Sequence, residues 1–406
     1  METLKFLMIS THFPPYQMGG DAIFVEYLTK ELLRKGHQVD VFYNPAAYRY
    51  LRKGSQVLPV EKSVEQLRRY EHIQNTKSLG LVLNLTFGFS SSAEKELRSI
   101  IRERKPDVIH WHNTKGFLGK PISVPGVANV YTAHDYYSVC PRSNLVRPGN
   151  VVCRDPRWCQ ICLLRWHKPP QLWRIGGHRV LPIGKDVKVL CPSEFMAERL
   201  KADGIHVHRV LRGFVPDPGM NLRHRNAHTE YIIFVGILEN RKGPLTLLKS
   251  FGRSAEKHGF DLYVVGEGPL KEDIKNRASE LGIGKRVHVT GFLPRDKLND
   301  LLANASAMVV PSEWPENAPS TALEAFSLGV PVIGTRIGGL AEMLAPDTGS
   351  ILYESGSYTE LSEVLVSIWN DMDNLKKRGV MARGVYETRF SPEIHVSEYL
   401  RTIRER

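Results

Sequence analysis

The chain has 406 residues, 42% hydrophobic and 24% charged, a balance that excludes long disorder over a length too great for one ordinary core, so two domains are expected. Its net charge of +12 and pI near 9.4 call for an anionic partner, and charge alone leaves nucleic acid, a phosphorylated substrate and a membrane surface open. The longest nearly apolar stretch, 79–89, has about half the length of a spanning helix, and Lys5 stands against a signal peptide, so the expected place is the cytoplasm, with a peripheral seat on the inner face of the membrane left open.

In chain order, a buried strand is expected over 4–9, followed by a Pro-Pro loop and by Gly19 and Gly20 at the start of a helix over 21–35. Glycines there leave backbone N–H groups free to meet an anion, but the third glycine of a dinucleotide fingerprint is absent, so turn chemistry and phosphate contact stay equally open. A strand over 38–43, a helix over 92–104 and strands over 107–111 and 128–133 follow. His110 and His112 bracket the end of the third strand, and His134-Asp135 ends the fourth. The carboxyl ends of parallel strands form the functional edge of such a sheet.

Cys140, Cys153, Cys159 and Cys162 come next, with twelve, five and two residues between them. A terminal C-x2-C behind two further cysteines fits a structural zinc, and an iron–sulfur cluster and unliganded or oxidised thiols stay open beside it. Around it Arg154, Arg157, Trp158, Arg165, Trp166, His167, Lys168, Trp173 and Arg174 interleave cations with aromatics, which suits anionic lipid or a polyanionic acceptor as well as a basic loop packed on its own domain. Strands over 187–190 and 207–211 close a first domain, 1–213, that contains this Cys-rich loop, 138–175. A stretch rich in Pro, Gly, Arg and His makes 214–228 the linker.

The second domain, 229–388, repeats the rhythm with strands over 232–235, 262–265, 287–290, 307–310 and 332–333 and with helices opening at Pro244, Pro269, Pro294 and Pro319. Short buried strands alternating with amphipathic helices predict an α/β fold of two doubly wound parallel sheets. Arg241-Lys242 follows the first of these strands, where two cations can neutralise a diphosphate. Glu316 and Glu324 flank the start of the helix at Pro319, and between them lie Asn317, Ala318, Pro319, the hydroxyls of Ser320 and Thr321 and unpaired N–H groups. That pattern fits a ligand with phosphate in the middle and hydroxyls at both ends, the shape of a nucleotide sugar. Gly338-Gly339 opens a later helix at the same rim, and a last helix over 389–406 is expected to pack back on the first domain.

Taken together, Gly19-Gly20, His134-Asp135, Arg241-Lys242-Gly243, the E-x7-E pair and Gly338-Gly339-Leu340-Ala341-Glu342 resemble the retaining glycosyltransferase family 4, and the His-Asp-Tyr-Tyr opening before Cys140 resembles a cysteine-bearing subset of it. The resemblance implies the GT-B fold, with two Rossmann-like domains facing across a cleft, and transfer of a sugar from a nucleotide sugar to a glycan or lipid-linked acceptor without a required metal. It implies that Arg241 and Lys242 bind the donor diphosphate, Glu316 the donor sugar and Glu324 the ribose. His134 then sits by the reacting centre and Gly19-Gly20 near the phosphates or the acceptor. Asn317-Ala318-Pro319 replaces the Gly-Phe-Gly common in the family. A GT-B nucleotide-sugar epimerase and a zinc-containing nucleic-acid-binding protein are the rival readings; paired carboxylates speak against nucleic acid as a partner.

Overall fold

The computed structural model describes residues 2–16, 19–51, 67–72, 77–147, 151–153, 158–175, 180–219 and 230–405. These form two compact units, one of residues 1–212 with 395–406 and the other of residues 213–394.

The first unit is built on β1 (Lys5–Ser10), α1 (Gly20–Arg34), β2 (Gln38–Tyr43), α2 (Pro45–Leu51), β3 (Leu67–Glu71), α3 (Lys77–Phe87), α4 (Ser91–Arg104), β4 (Val108–Trp111) and β5 (Ala128–Thr132). After these come a two-residue hairpin, β6 (Val146–Arg147) and β7 (Val151–Val152), then α5 (Cys159–Arg165), β8 (Val187–Cys191), α6 (Glu194–Ala202) and β9 (Arg209–Val210). The sheet runs β3-β2-β1-β4-β5-β8-β9, with every pair parallel. Strands buried on both faces read as continuous apolar runs, and β1 and β4 are buried almost throughout. In α1 the core side is Ala22, Val25, Leu28 and Leu32, at helical spacing. Ser90 and Ser193 cap α4 and α6 by accepting the N–H groups of Ala93 and Met196.

The second unit contains β10 (Tyr231–Val235), α7 (Pro244–Ser254), β11 (Asp261–Val265), α8 (Lys271–Glu280), β12 (Val287–Gly291), α9 (Arg295–Ala303) and β13 (Ala307–Val310). It continues with α10 (Ser320–Ser327), β14 (Val332–Thr335), α11 (Gly338–Met343), β15 (Ile351–Tyr353), α12 (Tyr358–Asn370) and α13 (Met372–Val385). Its parallel sheet runs β12-β11-β10-β13-β14-β15 over a core that includes Ile232, Phe251, Leu262, Val309 and Leu365. The chain ends in α14 (Pro392–Arg404), which from His395 onward is part of the first unit; Tyr399 there hydrogen-bonds His110 Nδ1 at 2.8 Å and Lys188 donates to the Thr402 carbonyl.

One expectation changes. Pro269 lies in the turn before α8, while Pro294 and Pro319 are the residues just outside α9 and α10, so of the four prolines Pro244 alone occupies a first helical position. The stretch 214–219 is held to the second unit, where Tyr386 donates to the Val215 carbonyl at 2.9 Å and Arg383 pairs with Asp217. The rest of the expected linker, 220–228, and the cations Arg154 and Arg157 lie outside the described residues.

Close backbone approach fixes the ends of β10 and β11. Gly266 has φ +140°, and a Cβ there would stand 1.9 Å from the Gly236 carbonyl oxygen. Gly266→Ala is expected to lower stability by on the order of 3 kcal/mol, from strain and clash together. Gly384→Ala, at an exposed helical position with open space around it, should instead be neutral or stabilising by about 0.5–1 kcal/mol. Thermal and urea unfolding of the two variants would show this, and equal effects would contradict it.

Candidate functional site

In an open parallel sheet, ligands bind beyond the carboxyl ends of the two strands at which the winding direction reverses. In the second unit those strands are β10 and β13. Arg241 and Lys242 lie in the loop after β10, and Ser312, Trp314 and Glu316 lie in the loop after β13.

The two loops are stitched together. Lys242 ends a short 3-10 turn, Asn240–Lys242, that is closed by Gly243 at φ 68°. A Cβ on Gly243 would be 1.9 Å from the Pro311 carbonyl oxygen, and Glu313 N–H donates to the Arg241 carbonyl at 2.8 Å. Across this contact Lys242 Nζ reaches Glu316 Oε1 at 2.6 Å, and Ser312 Oγ donates to the same oxygen at 2.7 Å. Burial pushes the Glu316 carboxyl upward, but Lys242 and the hydroxyl outweigh it and hold the group below the usual carboxylate range. Arg241 pairs with Glu239 at 2.6 Å and stacks 4.5 Å from the centre of the Trp314 ring. Both cations are therefore already matched by carboxylates, so an incoming phosphate shares them with these acids.

Glu316 is held from behind as well. Gly339 N–H donates to its carbonyl at 2.7 Å, and a Cβ on Gly338 would press on that oxygen and on Pro315. Thr335 Oγ1 holds the Ser312 carbonyl at 2.7 Å. Beyond Glu316, α10 begins at Ser320 without a side-chain cap, and Ala318 to Thr321 are half-buried. Asn317 is buried. One and a half turns on, Glu324 is also buried, and burial raises its carboxyl although Arg295 reaches it at 2.8 Å. The two acids of the pair thus carry opposite shifts.

In the first unit the reversal lies between β1 and β4. Gly19, at φ 84°, precedes α1, and both Gly19 and Gly20 are exposed. Asp21 accepts from Asn113 Nδ2 at 3.2 Å, which joins the two loops across the reversal point. His134 follows β5, and its Nε2 lies 2.9 Å from His112 Nδ1. Burial, with His395 adding to it, lowers His134 to about 3, and His110 and His112 fall well below the ordinary histidine value for the same first reason. Asp135 is pushed up to about 6 by burial, against the pull of Lys115, and its Oδ1 accepts from Tyr137 N–H at 2.7 Å. His110 points instead to Tyr399 and Thr132 and belongs to the packing of the unit.

The four clustered cysteines form no disulfide and are half-buried, and Cys159 is raised to about 11 by burial first and then by Cys140, Cys153 and Cys162. They are gathered, but among the described residues no group of three or more His, Cys, Asp or Glu side chains is placed to share a metal ion. The sequence pattern did not single out Trp314, Arg295, Asp21, Asn113 or Lys115. All of them lie in segments that follow strand ends, after β1, β4, β12 and β13, but their roles depend on contacts with neighbouring loops.

A family profile described as Glycosyltransferase Family 4 matches residues 18–217, and one described as Glycosyl transferases group 1 matches residues 223–385. The 2-deoxystreptamine glucosyltransferase of Streptomyces kanamyceticus is 30% identical over 291 residues, 67% of this chain and 70% of that protein. Among solved structures, sucrose-phosphate synthase of Thermosynechococcus elongatus matches with a TM-score of 0.73 at 18% identity, over 99% of this chain and 98% of that one. Anabaena HepE, solved in complex with UDP and glucose, matches with a TM-score of 0.66 at 16% identity, over 98% of this chain and 99% of that one. The shared fold is GT-B.

The Lys242–Glu316 pair gives a test with a definite sign. In Lys242→Met, burial of Glu316 is no longer offset, so the variant carries an uncompensated buried charge at neutral pH and should lose about 3–5 kcal/mol of stability. Glu316 then takes up a proton at higher pH than in the wild type, which removes that charge, so the gap between the two proteins should narrow as the pH is lowered from the alkaline to the acid side of neutral. Urea unfolding across that range measures it, and a gap that stays constant would refute the account.

Proposed function

The chain belongs to glycosyltransferase family 4, a family of retaining enzymes that use nucleotide-sugar donors, and on that premise we propose that Arg241, Lys242, Glu316 and Glu324 form its donor site. The reading is carried by one observation: Lys242 and Glu316 meet at 2.6 Å from the loops of β10 and β13, the two strands where the sheet reverses. Breaking the bond from sugar to phosphate leaves negative charge on the diphosphate. Arg241, Lys242 and the free N–H groups at the start of α10 supply the opposite charge there. Glu324 binds the ribose hydroxyls, and Glu316 with Asn317, Ala318 and Pro319 meets the donor sugar. Ser320 and Thr321 add hydroxyl donors beside the phosphates. His134 lies by the reacting centre and Gly19-Gly20 by the phosphates or acceptor. The acceptor is a glycan or a lipid-linked acceptor in polysaccharide or glycoconjugate synthesis, and the working compartment is the cytoplasm.

A donor panel tests this. A nucleotide sugar that binds the folded chain raises its melting temperature in proportion to occupancy, and Arg241→Ala should lose that shift. Glu316→Gln should keep donor binding and lower transfer by about 100-fold or more, with product configuration read by NMR. Wild-type transfer in Glu316→Gln would remove that residue from the chemistry, and an altered sugar released without acceptor would favour epimerisation.

A structural zinc on Cys140, Cys153, Cys159 and Cys162 is a separate proposal, supported by the gathering of the four thiols. Elemental analysis of the purified chain decides it. About one zinc per chain, released by a thiol-blocking mercurial, supports the site, and a chain that stays metal-free when zinc is supplied overturns it.

A further inference from the structure

In the first unit, every large hydrophobic side chain found exposed among the described residues falls in two segments, 83–89 and 151–175. Leu83, Phe87 and Phe89 belong to the first; Trp158, Ile161 and Leu164 are the centre of the second, at 61%, 45% and 58% exposure. Exposure of that extent in one place marks an interaction surface.

The two segments form one surface. The Trp173 indole donates to the Leu85 carbonyl at 3.3 Å and fills the space beside Gly88, where a Cβ would be 2.5 Å from the ring. Gln160 in α5 grips the backbone of Gln171 on both sides, at 2.9 Å each. On α5 the exposed positions are Ile161, Leu164 and Arg165, with Lys168 one turn on, and Leu163 alone is buried in that stretch. Apolar groups and cations therefore emerge from the same face.

Charge narrows the choice of partner. In sequence, 138–175 carries seven Lys or Arg and one acid, Asp155. A second copy of the same surface would bring like charges together, and a single-stranded nucleic acid has stacking partners in the tryptophans but no use for exposed Leu83, Ile161, Leu164, Leu172 and Ile175. An anionic bilayer uses both, since aliphatic and aromatic groups enter the acyl boundary while Arg and Lys remain among the headgroups. No described helix is long and apolar enough to cross a membrane, so the contact is with one face of the bilayer.

We propose that the surface formed by the end of α3, α5 and the turn at Leu172–Arg174 docks this chain on anionic phospholipid. It is rooted beside His134: Asp135 caps the turn at Tyr136–Ser138, and Lys115 donates to Ser143 at 3.2 Å. Docking there brings the acceptor-side unit to where a lipid-linked acceptor resides, so the inference deepens the acceptor half of the proposed function. Its test needs no transfer activity, and a failure of either can be told from a failure of the other.

The full chain is mixed with sucrose-loaded vesicles of phosphatidylcholine containing phosphatidylglycerol, and with vesicles of phosphatidylcholine alone. Co-sedimentation with the first and not the second, weakened by high salt, is expected. Ile161→Ser with Leu164→Ser should lower the partition coefficient by about tenfold or more, while Val380→Ser, an exposed apolar side chain of the second unit, should leave it unchanged. A wild-type reading covers the case in which the double variant does not fold: tryptophan emission should shift to the blue on binding and be quenched by brominated lipid, and Trp158→Phe should reduce both. Equal binding to the two vesicle types, sedimentation without quenching, or a concentration-dependent dimer that disappears in the double variant would overturn the proposal.

Discussion

The buried contact between Lys242 and Glu316 is the interaction on which the second unit's rim depends. Glu316 is almost without solvent, and burial alone would neutralise it; a cation at 2.6 Å keeps it charged. That cation is where it is because Gly243 takes a left-handed turn and lets the chain pass against Pro311, closer than any side chain would allow. The ion pair therefore rests on a backbone contact, and the backbone contact rests on the parallel pairing of β10 with β13. Ser312, Thr335 and Gly338-Gly339 then fix the carboxylate-bearing loop from three other directions. A ligand phosphate entering this rim meets charges that are already placed, which is the condition under which electrostatic stabilisation costs little reorganisation.

Much of this was legible in the sequence because it follows from periodicity and position. The buried runs of β1, β4, β10 and β13 are continuous apolar stretches, and residues at their carboxyl ends are placed at the rim by topology alone. What was not legible is pairing. Nothing near Glu324 in sequence announces Arg295, and nothing near Arg241 announces Trp314, since each contact joins loops from different strands. The prolines misled in a related way: Pro319 fixes its own φ near the helical value, but its ψ of 118° belongs to the residue before a helix, so it marks the boundary and not the first turn. The cysteine spacing likewise named a set of thiols without fixing where their sulfurs point.

The two units solve opposite electrostatic problems. At the rim of the second, fixed cations face carboxylates, an arrangement suited to anionic ligands. At the strand ends of the first, the imidazoles of His110 and His112 have ring centres 4.0 Å apart, and those of His112 and His134 5.2 Å, in surroundings that disfavour charge. Protonating one would place a cation against its neighbours, so burial and proximity act in the same direction and keep all three neutral. In the proposed reaction the sugar ring gains positive charge as its bond to phosphate breaks. An imidazolium beside it would oppose that change, whereas a neutral imidazole can accept a hydrogen bond from a sugar hydroxyl without adding like charge. Burial and the neighbouring imidazoles hold His134 neutral, the protonation state that its proposed role beside the sugar would require.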